Sequence, residues 1–264
     1  MFSLLAYGAY GIKGVGQTTN KHMDILSSLI IITVAALIHA SFQLSVSMLT
    51  LLSSHTIGKK RSYSRLVLLT NSFAFGAGIM TMLLLSFTAM ALKYALGSSG
   101  SSALAWTMSS GFLVGVGVSV WIFYYRKQTG TTLWVPRGVA QFLSDRTRKT
   151  KQSAEAFSLG LTSVLGELLF VAAPIIVSAL VLITLPTTWQ LVGIGLYTLI
   201  SLGSILTVNA LISSGHSISR IQKWRESNKS FLQFTAGTGL LALGFYVYVE
   251  EVVTETAMAA ARAL

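Results

Sequence analysis

The sequence predicts an all-α, polytopic membrane protein with six transmembrane helices in two inverted three-helix repeats. Of its 264 residues, 53% are hydrophobic and only 10% are charged. Several apolar runs are long enough to cross a bilayer as a helix, and the basic residues cluster in every second segment between those runs. A soluble domain of this size would need more polar surface. The chain has no cysteine, which excludes disulfides, thiolate metal sites and thiol redox chemistry.

Six apolar segments are the predicted transmembrane helices. Only helices and closed barrels satisfy the backbone in lipid, and these segments lack the alternation of barrel strands. The predicted spans cover residues 25–53, 66–92, 103–125, 157–183, 189–212 and 231–249. They divide the chain into an N-terminal tail (1–24), a first repeat (25–125), a basic linker (126–156), a second repeat (157–249) and a C-terminal tail (250–264).

The positions of the basic residues predict the orientation of these helices. Most of the 19 lysines and arginines lie in three alternate loops, at 54–65, 126–156 and 213–230. Because cytoplasmic loops carry such an excess, we expect a multi-pass protein of a bacterial-type cytoplasmic (inner) membrane with both termini outside. The charge does not indicate a nucleic-acid partner, since no nucleic-acid-binding motif is present. The lipid bilayer is the expected partner of the apolar surface.

The basic linker contains a candidate interfacial helix. Pro136 stands where a helix can begin, and apolar residues such as Phe142 can share one side, opposite arginines such as Arg146. A short helix of this kind would lie on the inner membrane surface. A basic disordered loop explains the same composition equally well.

The two halves of the chain can be aligned as an internal repeat. Residues 36–53 align with 164–181, and residues 115–125 align with 237–247 through a shared G-x-G-x5-F-Y pattern. The first alignment pairs Phe42 with Phe170 and His39 with Glu167. The three helices before the linker run in directions opposite to the three after it. Inverted triplets of this kind are a transporter architecture.

These features together resemble the lysine-exporter superfamily over residues 25–250. The stretches that carry the likeness are IHASFQLSVSMLTLLSSHTIGKK, LGLTSVLGELLFVAAPIIVSAL and LQFTAGTGLLALGFYVYV. The pattern is closest to the cytochrome c biogenesis and thiol-disulfide branch, beside the nickel/cobalt and urease-accessory exporters. That branch carries a reactive cysteine on its first and fourth helices. This chain has neither, so the resemblance implies the scaffold and excludes dithiol electron transfer.

Glu167 is the first candidate site residue, because a carboxylate deep in an apolar run is costly unless it is neutralised, paired or facing a water-filled cavity. We predict that His39 and Glu167 face each other near the midplane, where the repeats meet. The pair could bind a divalent cation or relay a proton. It could instead be a hydrogen bond worth ~1 kcal/mol that holds two helices together. Gln43 lies one turn beyond His39 on the same face.

Other polar and kinked positions extend this site. Pro174 lies seven residues past Glu167 and is expected to kink the fourth helix, either as part of a substrate site or as a packing feature. Asn71, Ser201 and Asn209 are candidates for a polar path, although such residues often bond to neighbouring helices instead. Close helix approach is predicted at Gly76, Gly78, Gly115, Gly117, Gly237 and Gly239.

We therefore expect a secondary transporter that exports a small solute or cation by alternating access around a midplane site. No ATP-binding motif is present, so a gradient or a protein partner would supply the energy. The alternative is a membrane-embedded assembly or accessory subunit of a larger complex, with no transport cycle. We do not expect an enzyme, since the membrane segments hold no paired aspartates, no H-E-x-x-H and no nucleophile–base set. No cofactor is assigned.

Overall fold

The computed structural model describes residues 25–42, 63–97, 103–124, 142, 145–147, 149–150, 152–214 and 218–263. Every regular element in these ranges is helical. The α-helices are α1 (Ile25–Ser41), α2 (Tyr63–Leu96), α3 (Ala103–Ser119), α4 (Ser153–Thr184), α5 (Thr187–Ser201), α6 (Gly203–Ser213), α7 (Ile218–Ser227), α8 (Lys229–Tyr248) and α9 (Thr254–Ala263). Two π-helical segments follow α3 and α8, at Val120–Tyr124 and Val249–Val253.

Four helices of the described chain are long and apolar enough to cross a membrane. They are Ser64–Leu96, Ala103–Ile122, Ser153–Thr184 and Ser230–Met258. The pair α5 and α6, bent by 50°, adds a fifth span if the two helices count as one. A helical, multi-pass membrane protein is thereby confirmed with four or five spans. The first predicted span is represented by α1, a shorter apolar helix of 17 residues, and its remaining part lies outside the described residues.

The longest predicted run of the second half becomes one helix, α4. At its start, the backbone N–H of Gln152 donates to Glu155 Oε2 at 3.1 Å, which satisfies a group that the first helical turn leaves free. At its end, Leu185 is extended, with φ −81° and ψ 150°. The following Pro186 favours that conformation, because its ring disfavours a helical residue before it. The helix passes through Pro174 without a break.

Four helices enclose the main hydrophobic core. Helix α1 contacts α4, α4 contacts α3, α3 contacts α8, and α8 contacts α1. The core buries Ile32, Trp106, Leu180 and Leu240, one from each helix. Outside this four-helix core, α2 packs along α4 and α5 packs along α1, while α6 packs on α2 over a second apolar cluster. The core therefore combines helices from both halves of the chain.

The contact between α2 and α4 depends on two glycines. A Cβ at Gly160 would meet the carbonyl oxygen of Phe73 and would lie 2.9 Å from the backbone nitrogen of Ala77. A Cβ at Gly76 would meet the carbonyl oxygen of Phe157. The two backbones touch because neither glycine has a side chain, as small-residue helix contacts in membranes require. At Gly115, where the sequence also predicts close approach, nothing lies within 4 Å.

Part of the basic linker is described. Residues 142, 145–147 and 149 are helical, and the backbone N–H of Thr150 donates to the carbonyl of Arg146 at 3.0 Å. The guanidinium carbon of Arg146 lies 5.6 Å from the centre of the Phe142 ring, in the range of a cation–π contact. The placement of this helix on the inner membrane surface stays a prediction.

Candidate functional site

His39 and Glu167 line one cavity inside the helix bundle. His39 is 5% exposed and Glu167 is 4% exposed. Helix α1 supplies His39 from its last turn, and α4 supplies Glu167 from its middle. The structure thus brings together the two ionisable residues that the repeat alignment pairs. The other residues that line the cavity are Phe42, Thr81, Val164, Ser201, Leu202, Ser204 and Ile205.

The orientation of the His39 ring is fixed by a tyrosine that the sequence analysis does not name. His39 Nδ1 lies 3.0 Å from the hydroxyl oxygen of Tyr197 on α5, which is fully buried. Either the tyrosine hydroxyl donates to Nδ1, or a protonated Nδ1 donates to the tyrosine oxygen, depending on the tautomer. In both cases Nδ1 is engaged, so a further partner of the imidazole must meet Nε2.

Two phenylalanines stack beside this pair, and one of them, Phe42, lines the cavity. The rings of Phe42 and Phe170 stack with their centres 5.2 Å apart and their planes 20° from parallel. Phe42 follows α1 and itself lines the cavity, while Phe170 lies one turn beyond Glu167 on α4. A stacked aromatic pair excludes water from this side and holds α1 against α4.

The cavity lies at the bend between α5 and α6. Helix α5 ends at Ser201, α6 begins at Gly203, and the two are bent by 50° at Leu202. Leu202 and Ser204 line the cavity, so the break itself forms one side of it. Backbone N–H groups in the first turn of a helix have no partner within that helix. Broken helices beside buried ionisable groups are typical of transporter substrate sites.

Among the described candidate residues, Pro174 does not line this cavity. Pro174 is buried in α4, but it is not among the lining residues, and α4 continues through it. The interruption of a helical run that borders the cavity lies at Leu202, between α5 and α6. A proline is tolerated in a membrane helix when neighbouring groups satisfy the backbone. Gln43 lies outside the described residues.

The three candidates for a polar path fall into two groups. Ser201 lines the cavity, and its hydroxyl donates to the carbonyl of Thr198 at 3.0 Å. Asn209 Nδ2 donates to Asn71 Oδ1 at 2.6 Å, which joins α6 to α2. Neither asparagine lines the cavity, so this pair corresponds to the helix–helix contact that the sequence left as the alternative.

The size of the cavity limits what the closed site can hold. The centre of a water molecule has about 10 Å³ of space, which is enough for one water. Among the described residues, no group of three or more His, Asp and Glu side chains could hold a metal ion. His39 and Glu167 would supply two ligands, whereas divalent cations in proteins take four or more. In this conformation the cavity has room for one water-sized species beside His39 and Glu167.

The sequence contains a signal for the break at Leu202 but none for the contact between Tyr197 and His39. The break at Leu202 stands in the tetrapeptide Ser-Leu-Gly-Ser, and Gly203 within an apolar run is a signal for interruption that could have been used. Tyr197 carries no such signal, because its partner His39 is 158 residues away along the chain.

No protein-family model, no curated protein and no solved structure matches this chain. The resemblance to the lysine-exporter superfamily therefore stays a prediction from pattern. The chemistry of the site follows from its own geometry, in which a carboxyl group and an imidazole share a water-sized space beside a broken span.

Proposed function

We propose that the protein is a secondary transporter that exports a small solute or cation through a midplane site between two inverted helix triplets. The observation that carries this proposal is the single cavity shared by His39 and Glu167 at the break between α5 and α6. An ionisable side chain buried inside a membrane bundle and facing a cavity is most often part of a solute, ion or proton pathway.

Six crossings are consistent with the described helices. The bent pair α5 and α6 continues as one run from residue 187 to residue 213 with a single interrupting residue. Helix α1 has 17 residues, which correspond to about 25 Å along the helix axis. The apolar sequence continues to residue 53, so the complete segment is long enough to cross with some tilt.

The pattern of helix contacts supports an inverted repeat. If α1, α2 and α3 correspond to α4, the α5–α6 pair and α8, then the larger helix contacts have counterparts. The α2–α4 contact corresponds to the contact of α5 with α1, and the α1–α8 contact corresponds to that of α4 with α3. The α1–α4 contact joins two corresponding helices, so the symmetry maps it onto itself, and the same holds for the α3–α8 contact. A pseudo-two-fold axis in the membrane plane produces this pattern.

Residue-level contacts support the same correspondence. Positions that the alignment pairs meet each other at the axis, since Phe42 stacks on Phe170 and His39 shares a cavity with Glu167. The same alignment, continued toward the start of α1, pairs Ile32 with Gly160 on α4. Gly160 faces α2, and Ile32 meets α5 at Gly193, where a Cβ would lie 3.1 Å from Ile32 Cδ1.

The proposed transport cycle centres on the charge state of Glu167. A negative carboxylate in a closed, water-poor site is unfavourable, and binding a proton or a small cation removes that cost. Loading therefore favours closure and movement across the membrane. Helix α6 is the element proposed to move, about the bend at Leu202 that separates it from α5. A solute or ion gradient supplies the energy.

The test is a flux assay on purified protein in sealed liposomes. The probes are proton flux, followed by a pH-sensitive dye trapped inside, and charge movement on addition of amino acids or monovalent and divalent cations. We expect Glu167→Gln and His39→Ala to lower the responding flux at least about tenfold, the equivalent of ~1.4 kcal/mol in the transport barrier. Glu155→Gln is the matched control, because Glu155 is an exposed acid on the same helix.

Two results would oppose this proposal. Parental flux in folded Glu167→Gln and His39→Ala proteins would remove these residues from the mechanism. Absence of flux in the parent for every probe, together with stable co-purification in a larger complex, would favour the accessory-subunit function instead.

A further inference from the structure

Tyr197 is a buried polar residue that the proposed transport cycle does not use. Its side chain is fully buried, and its hydroxyl oxygen lies 3.0 Å from His39 Nδ1. The two rings also contact each other, with their centres 5.7 Å apart and their planes 55° from parallel. Within the described part of the chain, the hydroxyl group has no hydrogen-bond partner other than His39 Nδ1. The state of the tyrosine proton and the state of the imidazole are therefore linked.

The burial of the hydroxyl group favours one of the two ways in which this bond can form. A tyrosine hydroxyl has one proton to donate, and leaving a buried donor without an acceptor costs free energy. If Nδ1 carried a proton and donated it to the tyrosine oxygen, the hydroxyl proton would have no acceptor among the described residues. If Nδ1 carries no proton, Tyr197 donates to it and both groups are satisfied. The neutral imidazole of His39 then carries its proton on Nε2.

The Nε2 side of the ring is the side that remains for the cavity. His39 lines the cavity, whereas Tyr197 is not among the lining residues. The two nitrogens of an imidazole point in different directions, and Tyr197 covers the ring at Nδ1. In the described structure the side chain of His39 makes no second hydrogen bond, so Nε2 is left for a partner that occupies the cavity.

Other polar groups around the cavity offer lone pairs to such a partner. Thr81 Oγ1 and Ser201 Oγ each donate at 3.0 Å to a carbonyl of their own helix. A hydroxyl that bonds in this way has used its proton, and its oxygen can still accept. Glu167 adds carboxyl oxygens to the same lining. An N–H group on His39 would give this oxygen-rich lining a donor in a fixed position.

We propose that Tyr197 is a positioning residue that holds His39 in the Nε2–H form, so that His39 serves the cavity as a hydrogen-bond donor. In this form neither ring nitrogen has a free lone pair for a metal ion, because Nδ1 accepts from Tyr197 and Nε2 is protonated. The matching cargo is a small polar molecule with a lone pair for Nε2–H and an O–H or N–H group for the surrounding oxygens. The choice of cargo rests on the proposed function, but the state of the ring does not.

The state of the ring can be measured by ¹⁵N NMR. The chain has four histidines, so His22→Gln, His55→Gln and His216→Gln together leave His39 as the single reporter. This protein is labelled with ¹⁵N-histidine and held in lipid nanodiscs. We expect the Nε2 signal of a protonated nitrogen and the Nδ1 signal of an unprotonated nitrogen that accepts a hydrogen bond. A protonated Nδ1 would overturn the proposal.

A tyrosine variant tests whether Tyr197 sets this state. Tyr197→Phe removes the hydroxyl group alone, so the Nδ1 signal should shift and the two tautomers should mix. Tyr94→Phe is the matched control, because Tyr94 is exposed and should leave both signals in place. Signals in folded Tyr197→Phe that equal those of the parent would overturn the positioning role. If Tyr197→Phe does not fold, the position of the proton in the parent still decides the proposal.

The donor role of His39 is tested in the liposome flux assay. Glutamine places an amide N–H group about where histidine carries Nε2, so His39→Gln should keep at least about fivefold more flux than His39→Ala. A base or a metal ligand would not be replaced in this way. Equal loss of flux in the two folded variants would overturn the donor role.

These measurements separate the positioning role from the transport function, since the NMR signals do not require flux. An Nε2–H ring that depends on Tyr197 in a protein without flux would support the positioning role and oppose the transporter. Flux that depends on Glu167 in a protein whose Nδ1 is protonated would support the transporter and overturn the positioning role.

Discussion

Helix α4 and the α5–α6 pair are both long apolar segments of the second half, but only one of them is broken. Helix α4 contains Pro174 and still continues from Ser153 to Thr184. The α5–α6 pair contains no proline after Thr187, yet it bends by 50° at Leu202. The cavity is lined by both, and the bend lies on the side of the broken pair.

The difference shows that packing rather than the proline decides where the backbone is interrupted. Helix α4 is held on several sides by α1, α2 and α3, and this contact keeps the residues around Pro174 helical. The break in the other pair, at Leu202, adjoins Gly203, where nothing lies within 4 Å of an added Cβ. A site that must change shape is expected in the less constrained of the two segments.

The largest expected effect comes from separating the straight helix from α2. Gly160→Val should lower the free energy of unfolding by more than about 3 kcal/mol, because the new side chain meets the backbone of α2. Titration with SDS in mixed micelles, followed by tryptophan fluorescence, measures this. Gly111→Val is the control, since nothing lies within 4 Å of that position. Equal stability of the two variants would contradict the glycine contact.

Helix α6, the second helix of the bent pair, is attached to α2 by an asparagine pair. Asn209→Ala removes the 2.6 Å bond to Asn71 and should lower the free energy of unfolding by about 0.6–1.7 kcal/mol. A double-mutant cycle with Asn71→Ala, measured by the same titration, isolates the bond. A coupling energy near zero would mean that the two amides do not hold α6 against α2.

Stiffening the bend should separate stability from transport. Gly203→Ala adds a Cβ where space is open and should raise the free energy of unfolding by about 0.5–1 kcal/mol. If α6 moves about this bend, flux in the liposome assay should fall several-fold. Gly195→Ala on α5 is the matched control, which should gain similar stability and keep its flux. Undiminished flux in Gly203→Ala would indicate that the bend does not act as a hinge.

The smallest effect is expected at the proline of the straight helix. Pro174→Ala should keep parental flux, because Pro174 does not line the cavity. Its free energy of unfolding should change by less than about 1 kcal/mol, since a regained backbone hydrogen bond offsets lost packing. Calorimetry or SDS titration measures stability beside the flux assay. Strong loss of flux with unchanged stability would restore Pro174 to the site.

Much of the fold could be predicted from hydrophobic runs alone. The predicted spans 66–92, 103–125 and 157–183 each coincide with one long helix, because membrane helices are specified mainly by length and apolar content. The bend within 189–212 was missed, since a break that leaves both halves apolar does not alter the hydropathy pattern. The π-helical segment after α3 was missed for the same reason. The π-helical segment after α8 extends beyond the predicted sixth span.

Only two kinds of site residue could be predicted from the sequence: a charged residue within an apolar run, and a residue that the repeat alignment pairs with it. Glu167 stands out as a carboxylate in an apolar run, and the repeat alignment singles out His39 as its counterpart. The tyrosine that orients His39 could not be inferred, because contact between residues 39 and 197 depends on how α5 packs on α1. Pro174 was included on local sequence alone, whereas the lining of the cavity depends on how the helices pack.

The composition of α4 has a consequence for biosynthesis. It is the most apolar of the four long helices, and it is also the one that carries a carboxylate near its centre. An acidic residue at that depth opposes entry from the translocon by roughly 3 kcal/mol, and the surplus of aliphatic side chains can offset this during synthesis. Since α1 to α3 emerge from the ribosome first, α4 can enter lipid beside helices that already offer its final neighbours.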